Sequence, residues 1–178
     1  MIKGKEFHEI DELSKEKYPT PSRYQKNKLI YKIYEKYPLL KDKFFLDICG
    51  MGEILTFLDK FKMKGWGIDL SERAVEIARG RVSKNIKIKQ QDFTKLRKKF
   101  GLIIMGDILE HIKNDEFFIR KSYNLLDKDG YCLINIPAKQ YLLGNWDIEV
   151  GHYRRYEKKE ISYLLEKNGF KIIEFWCY

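Results

Sequence analysis

Sulfur and imidazole are scarce in this sequence: it has three cysteines and three histidines among 178 residues. Cys49, Cys132 and Cys177 form no CxxC pair and no metal-ligand spacing, which excludes a disulfide scaffold and a cysteine zinc site. Two of them sit in apolar runs, where a free thiol behaves as a small hydrophobe. A reducing cytoplasm is therefore the expected compartment, and no metal is expected. No apolar run is long enough to cross a bilayer, and the N-terminal MIKGKEFHEIDELSKEK is polar and carries both signs of charge. It reads as neither a signal peptide nor a membrane span. Internal repeats and low-complexity stretches are missing too. So is a long, purely basic run, although the formal net charge is +9. The lysines are scattered, and the densest cluster is Lys95, Arg97, Lys98 and Lys99. Scattered charge favours a solvated surface, and nucleic acid is the less favoured partner.

What is present suits one globular domain, with 44% hydrophobic residues and 15% aromatic ones to fill a core or line a pocket. Residues 1–43 are expected to be a helical segment packed on the core. Leu29, Ile30, Ile33 and Tyr34 recur there at helical spacing between Pro21 and Pro38. From Phe44 onward the pattern alternates. Strands are expected at 44–49, 65–69, 86–89, 100–105, 131–136 and 170–177, with helices at 53–61, 73–79, 115–126 and 157–167. Ser71 reads as a helix N-cap, Asp127–Gly130 as a turn and Asn168–Gly169 as a helix stop. Alternating strands and helices predict an α/β fold with a doubly wound, mostly parallel sheet of about six strands. In such sheets ligands sit beyond the carboxyl ends of the strands.

Five motifs fall at those ends. Leu46–Asp47–Ile48–Cys49–Gly50–Met51–Gly52–Glu53 is a glycine turn between strand and helix, where the backbone can approach a ligand. Asp47 inside the strand suits a cationic or hydroxylated ligand better than a pyrophosphate. Leu55 stands where a dinucleotide fingerprint wants Gly or Ala, so a nicotinamide cofactor is disfavoured. Asp69, followed by Leu70, ends the second strand at the interval where a ribose-binding acid belongs. Asp92 with Phe93 follows the third strand, the acid placed to accept from an adenine amine and the ring beside it. Asp107, Leu109, Glu110 and His111 follow the fourth strand. Gly151–His152–Tyr153–Arg154–Arg155–Tyr156 closes a long irregular segment. Its arginines can clamp an anion, and the imidazole of His152 can accept or donate a proton.

Together these motifs resemble the class I S-adenosylmethionine-dependent methyltransferases, from about Phe44 to Phe170. The resemblance implies a Rossmann-like domain at 44–178 that binds S-adenosyl-L-methionine. Gly50 and Gly52 would admit the methionine part, Asp47 its amino group, Asp69 and Leu70 the ribose side. Asp92 and Phe93 would take the adenine, and Asp107 and Leu109 the methyl end. Two departures from the family pattern stand out. The glycine loop lacks its first glycine, running from Ile48 straight to Cys49, and the final antiparallel strand has no expected counterpart.

The expected reaction is methyl transfer to an O or N nucleophile of a small molecule, where alignment of donor and acceptor does most of the work. His111 and His152 are the candidate bases. Trp146, Arg154 and Arg155 are expected to recognise the acceptor. The alternatives are a catalytically degenerate binding protein and an RNA or protein methyltransferase. The oligomeric state is not legible in the sequence.

Overall fold

Two runs, Phe45–Leu46–Asp47–Ile48 and Phe100–Gly101–Leu102–Ile103–Ile104–Met105–Gly106, are almost continuously apolar, as strands covered on both faces must be. They become the central pair of the sheet. The computed structural model describes residues 21–48 and 52–176. It falls into two compact units, one holding residues 21–42 and Trp176, the other Lys43–Phe175. In the first, helix α1 (Pro21–Lys36) is followed by a 3-10 turn at Pro38–Asp42. Ile30, Tyr31, Tyr34 and Leu40 are buried. The expected helix forms, and Leu29 lies among its residues.

The second unit carries the sheet. Its elements are β1 (Phe45–Ile48), α2 (Glu53–Lys60), β2 (Gly65–Asp69), α3 (Glu72–Arg79) and β3 (Ile86–Gln90). Then follow β4 (Phe100–Gly106), α4 (Asp115–Leu125), β5 (Leu126–Asn135), the one-turn helix α5 (Asn145–Glu149) and α6 (Lys158–Lys167). The strand order is β3-β2-β1-β4-β5 and every pairing is parallel. The chain builds outward from β1 to β3, then returns to the other side of β1 with β4. That reversal opens a crevice at the carboxyl ends of β1 and β4, the switch point where such sheets bind ligands.

Local chemistry explains the helices. Ser71 Oγ accepts from the Ala74 N–H at 3.3 Å and caps α3, which buries Val75 and Ala78 one turn apart. Asn114 Oδ1 caps α4 through the Phe117 N–H at 3.0 Å, and Ile119, Ser122 and Leu125 form its buried stripe. Gly67 is required by packing: a Cβ there would lie 2.5 Å from Leu55 Cδ1 and 2.9 Å from Ile88 Cδ1. Removing that Cβ lets α2 sit on the strand. Leu55 is thus a core residue, and it lies 1% exposed.

Three expectations need correction. Residues 170–176 form no strand, so the sheet has five strands among the described residues. The run Phe170–Trp176 has the apolar content of a strand, but Ile173, Phe175 and Trp176 are 56%, 39% and 43% exposed; it lacks the burial that would make it one. The Asp127–Gly130 turn forms inside β5 rather than before it. Leu126 pairs with Phe100 and pairing resumes at Tyr131 with Leu102, so four residues bulge out opposite Gly101. Asp129 takes φ 58 in that bulge. The segment 138–156, which shows no period in sequence, contains a 3-10 turn at Gln140–Leu142, the short α5 and a parallel bridge between Ala138 and Tyr156. No helix among the described residues is long and apolar enough to cross a membrane.

Candidate active site

At the switch point, Asp47 sits in the fully buried β1, 3% exposed. Among the described residues its Oδ1 has no hydrogen-bond partner. Burial, with Asp69 nearby as a like charge, pushes its carboxyl up to about 8. A buried, unsatisfied acid at a strand end is a poor structural element and a good partner for a cationic or hydrogen-donating ligand. Gly50 lies outside the described residues. Gly52 starts α2 with φ 88, and a Cβ there would come 3.1 Å from Ala78 Cα. Glycine alone fits both the left-handed backbone and the close approach.

Asp69 ends β2, and its Oδ1 accepts the Ser71 N–H at 2.8 Å, fixing the turn into α3. Leu70 beside it is 70% exposed, an apolar surface open at the carboxyl edge. Asp92 Oδ1 accepts from the Thr94 N–H and hydroxyl at 2.8 and 2.7 Å. Those two bonds, hydroxyl first, hold its carboxyl below the usual carboxylate range. The ring of Phe93 is 4% exposed and packs against Phe118 at 4.8 Å between centroids. The expected stacking partner is a core residue. Leu109 is likewise buried, with 0% exposure, so its side chain fills the core rather than lining a cleft.

Asp107 follows β4 with a left-handed backbone, φ 52. Asp tolerates that region better than most residues. Asn135 at the end of β5 holds it twice. The Asp107 N–H donates to the Asn135 carbonyl at 2.9 Å, and the Asn135 amide donates to Asp107 Oδ1. Sequence reasoning missed Asn135, because nothing in a strand-terminal Asn announces a partner on the neighbouring strand.

The segment 138–156 folds back onto the end of β4. The Tyr153 N–H donates to the Glu110 carbonyl at 2.8 Å. The Tyr156 hydroxyl reaches the Leu109 carbonyl at 3.1 Å and Asp115 Oδ2 at 2.9 Å. Arg154 pairs with Asp115 at 2.6 Å and donates to the Lys113 carbonyl. Arg155 Nε donates to both oxygens of the buried Asp147 at 3.0 Å. Both arginines expected to clamp a substrate therefore hold this segment in place. Trp146 is 63% exposed and meets the His152 ring edge-on at 5.6 Å.

Docking of this segment brings His111 and His152 together, rings T-shaped at 4.6 Å. Glu110, 1% exposed, lies behind them with Oε1 4.0 Å from His152 Nε2. His152 Nδ1 is 2.8 Å from Asp147 Oδ1, and His111 Nδ1 is 3.3 Å from the Gly151 carbonyl. Burial and then the neighbouring His152 lower the His111 pKa. For Asp147, burial works upward, but donors from Arg155, the Gly144 N–H and His152 outweigh it and hold the carboxyl at about 2. Glu110 was legible as an acid beside a histidine. Asp147 was not, since its partners come together only through the fold.

A parallel sheet in this order, with acids at successive strand ends, defines a nucleotide-cofactor domain. The methyltransferase domain family matches residues 23–174, so the chain belongs to that family of class I, S-adenosylmethionine-dependent methyltransferases. It is 33% identical over 135 residues to the ubiquinone biosynthesis O-methyltransferase of Pelagibacter ubique (strain HTCC1062), covering 70% of this chain and 56% of that protein. The protein of the same name from Glaesserella parasuis serovar 5 (strain SH0165) is 31% identical over 110 residues, covering 54% and 42%. The chain thus spans about half the length of these relatives. Magnesium protoporphyrin IX methyltransferase from Synechocystis PCC 6803, solved with bound S-adenosylhomocysteine, shares the fold at a TM-score of 0.73 and 18% identity. That likeness covers 96% of this chain and 87% of that one.

Proposed function

We propose that this protein transfers a methyl group from S-adenosylmethionine to a hydroxyl oxygen of a small molecule. The observation that carries the reading is the gathering of Glu110, His111 and His152 after β4, next to β1, the strand that carries Asp47. The cofactor supplies an electrophilic methyl group on a sulfonium. Asp47, Gly50 and Gly52 would hold its methionine part, Asp69 and Leu70 the ribose side, Asp92 the adenine amine, and Asp107 the methyl end. Domain 44–178 would form this site, with 1–43 as the accompanying helical segment. An acceptor hydroxyl keeps its proton at neutral pH, and the lowered pKa keeps His111 in the neutral form that takes one. The names of the relatives favour oxygen over nitrogen as nucleophile. Tyr141, Leu142, Trp146, Ile148, Val150 and Tyr153 expose apolar surface on the segment that carries His152. That surface suits an apolar acceptor such as a hydroxylated ring.

Transfer of label from methyl-tritiated S-adenosylmethionine to a panel of hydroxylated aromatic and aliphatic acceptors tests the reading. Methyl ethers are expected, and His152→Ala should lower turnover while S-adenosylhomocysteine affinity stays near wild type. Intact cofactor binding without any transfer would favour a protein that binds the cofactor but has lost catalysis.

A further inference from the structure

We propose that Glu110, His111 and His152 form a binding site for one divalent first-row transition cation. Each of the three offers one donor atom, and these atoms lie within 4.8 Å of one another. Two imidazoles and a carboxylate are the donor set such ions take, with positions left open for exogenous oxygen ligands. Tetrahedral coordination at about 2.1 Å requires donors about 3.4 Å apart. The 4.0 Å between Glu110 Oε1 and His152 Nε2 closes to that by a small side-chain rotation.

The surroundings point the same way. A histidine that binds a metal through one ring nitrogen donates the other N–H to a carboxylate or carbonyl. Both histidines do so here. The Asp147 carboxylate already accepts from Arg155 Nε and the Gly144 N–H, so it faces His152 Nδ1 at 2.8 Å as an acceptor and the ring nitrogen is the donor. A neutral ring then keeps its lone pair on Nε2, the atom that faces Glu110. The Gly151 carbonyl, also purely an acceptor, faces His111 Nδ1 at 3.3 Å. Asp147 is fixed in turn by Arg155 and the Gly144 N–H. Glu110 brings a carboxylate into a place that is 1% exposed, with one donor oxygen in reach of both rings. The sequence hides this arrangement because His152 stands far along the chain from Glu110–His111.

The site deepens the proposed reaction, and this part rests on that reading. With the cation bound, both imidazoles serve as ligands, and the proton-accepting role given above to His111 belongs to the cation-free site. An acceptor hydroxyl at an open coordination position loses its proton to solvent, since a bound cation acidifies oxygen ligands. The resulting oxygen anion forms the O–CH3 bond as the S–CH3 bond breaks, and the electron pair leaves with neutral S-adenosylhomocysteine.

Binding of the ion is testable without any acceptor. The full chain, stripped with chelator, is titrated with Zn2+ by calorimetry, and with Co2+ by visible absorption. One ion per chain and cobalt bands of a nitrogen–oxygen site are expected. His111→Ala and His152→Ala should each weaken Zn2+ by at least about 100-fold, more than loss of a supporting partner costs, and Asp147→Asn by about 10- to 100-fold. His8→Ala should change nothing. Circular dichroism monitors folding; if His152→Ala does not fold, His111→Ala carries the test. Zn2+ and Co2+ weaker than about 100 μM in wild type, or affinity unchanged in the histidine variants, would overturn the site. S-adenosylhomocysteine binding, measured in parallel, separates the outcomes: it should survive in the histidine variants, and its absence in wild type would strike the methyltransferase reading while leaving the ion result standing.

Discussion

The two sides of the switch point are held together in different ways. On the β1–β3 side, the acids at the strand ends are fixed by neighbours in sequence. Asp69 takes the N–H of Ser71 and Asp92 that of Thr94, each two residues on. On the β4 side the partners are distant. His111 meets Gly151 and the Tyr156 hydroxyl meets the Leu109 carbonyl, 40 and 47 residues away. The first side is a series of small local solutions, each able to persist if another fails. The second is one docked segment whose bonds depend on each other, so it responds to damage as a unit.

Three substitutions and two pH dependences should break or sharpen this contrast. The largest effect is expected from Asp147→Ala, which strips partners from Arg155, His152 and the Gly144 N–H at once. The melting temperature should fall clearly while cofactor affinity holds. Loss of both together would mean the two sides are one cooperative unit. The same group sets an acid limit. Its folded carboxyl titrates at about 2 against an ordinary 3.8, so the unfolded chain takes the proton first. Its stabilisation is whole above about pH 4 and is lost as pH falls through about 2, which acid-induced unfolding monitored by fluorescence should show.

Asp69→Ala should act the other way round. Calorimetry should find S-adenosylhomocysteine weakened by about 1.5–3 kcal/mol, the worth of a hydrogen bond to a charged group. Thermal stability should scarcely move. Gly67→Ala places a Cβ against Leu55 and Ile88 and should cost about 1–3 kcal/mol in denaturant unfolding, as overpacking does. A neutral result would show that α2 shifts freely on β2.

The smallest effect is a pH dependence. Asp47 titrates at about 8, so near neutrality it holds a proton that a cationic ligand group must displace. Cofactor affinity should rise with pH from about 6 to 8, by at most tenfold per unit, and flatten above. Calorimetry in buffers of different ionisation enthalpy should detect the released proton. Affinity independent of pH over that range would remove Asp47 from the cofactor site.

This division also decides what could be read from the sequence. Gly65–Asp69 as a strand, Ser71 as a cap and Asp69 at a strand end are written in neighbouring residues, and the structure has them there. Burial was harder to read. Phe93 and Leu109 stand at positions where a ligand would be expected, yet their side chains turn into the core, because position along a strand end does not say which way a side chain points. Phe170–Trp176 has the composition of a strand, yet among the described residues it pairs with none and leaves Ile173, Phe175 and Trp176 exposed. The gathering of Glu110, His111, Asp147 and His152 was the least legible. Periodicity reports which residues face one side of an element and is silent about which elements meet.

The strand order has a consequence for how the molecule comes into being. A sheet with only parallel pairs has no hairpins, so every pairing waits for a crossover and folding is slowed accordingly. During synthesis, Phe45 can find Gly65, and Gly65 can find Ile86, before Leu102 has been made. The acids of the β1–β3 side can thus be in place while β1 still has one bare edge. Until β4 arrives to cover that edge, the growing chain presents an apolar strand open to pairing with the wrong partner.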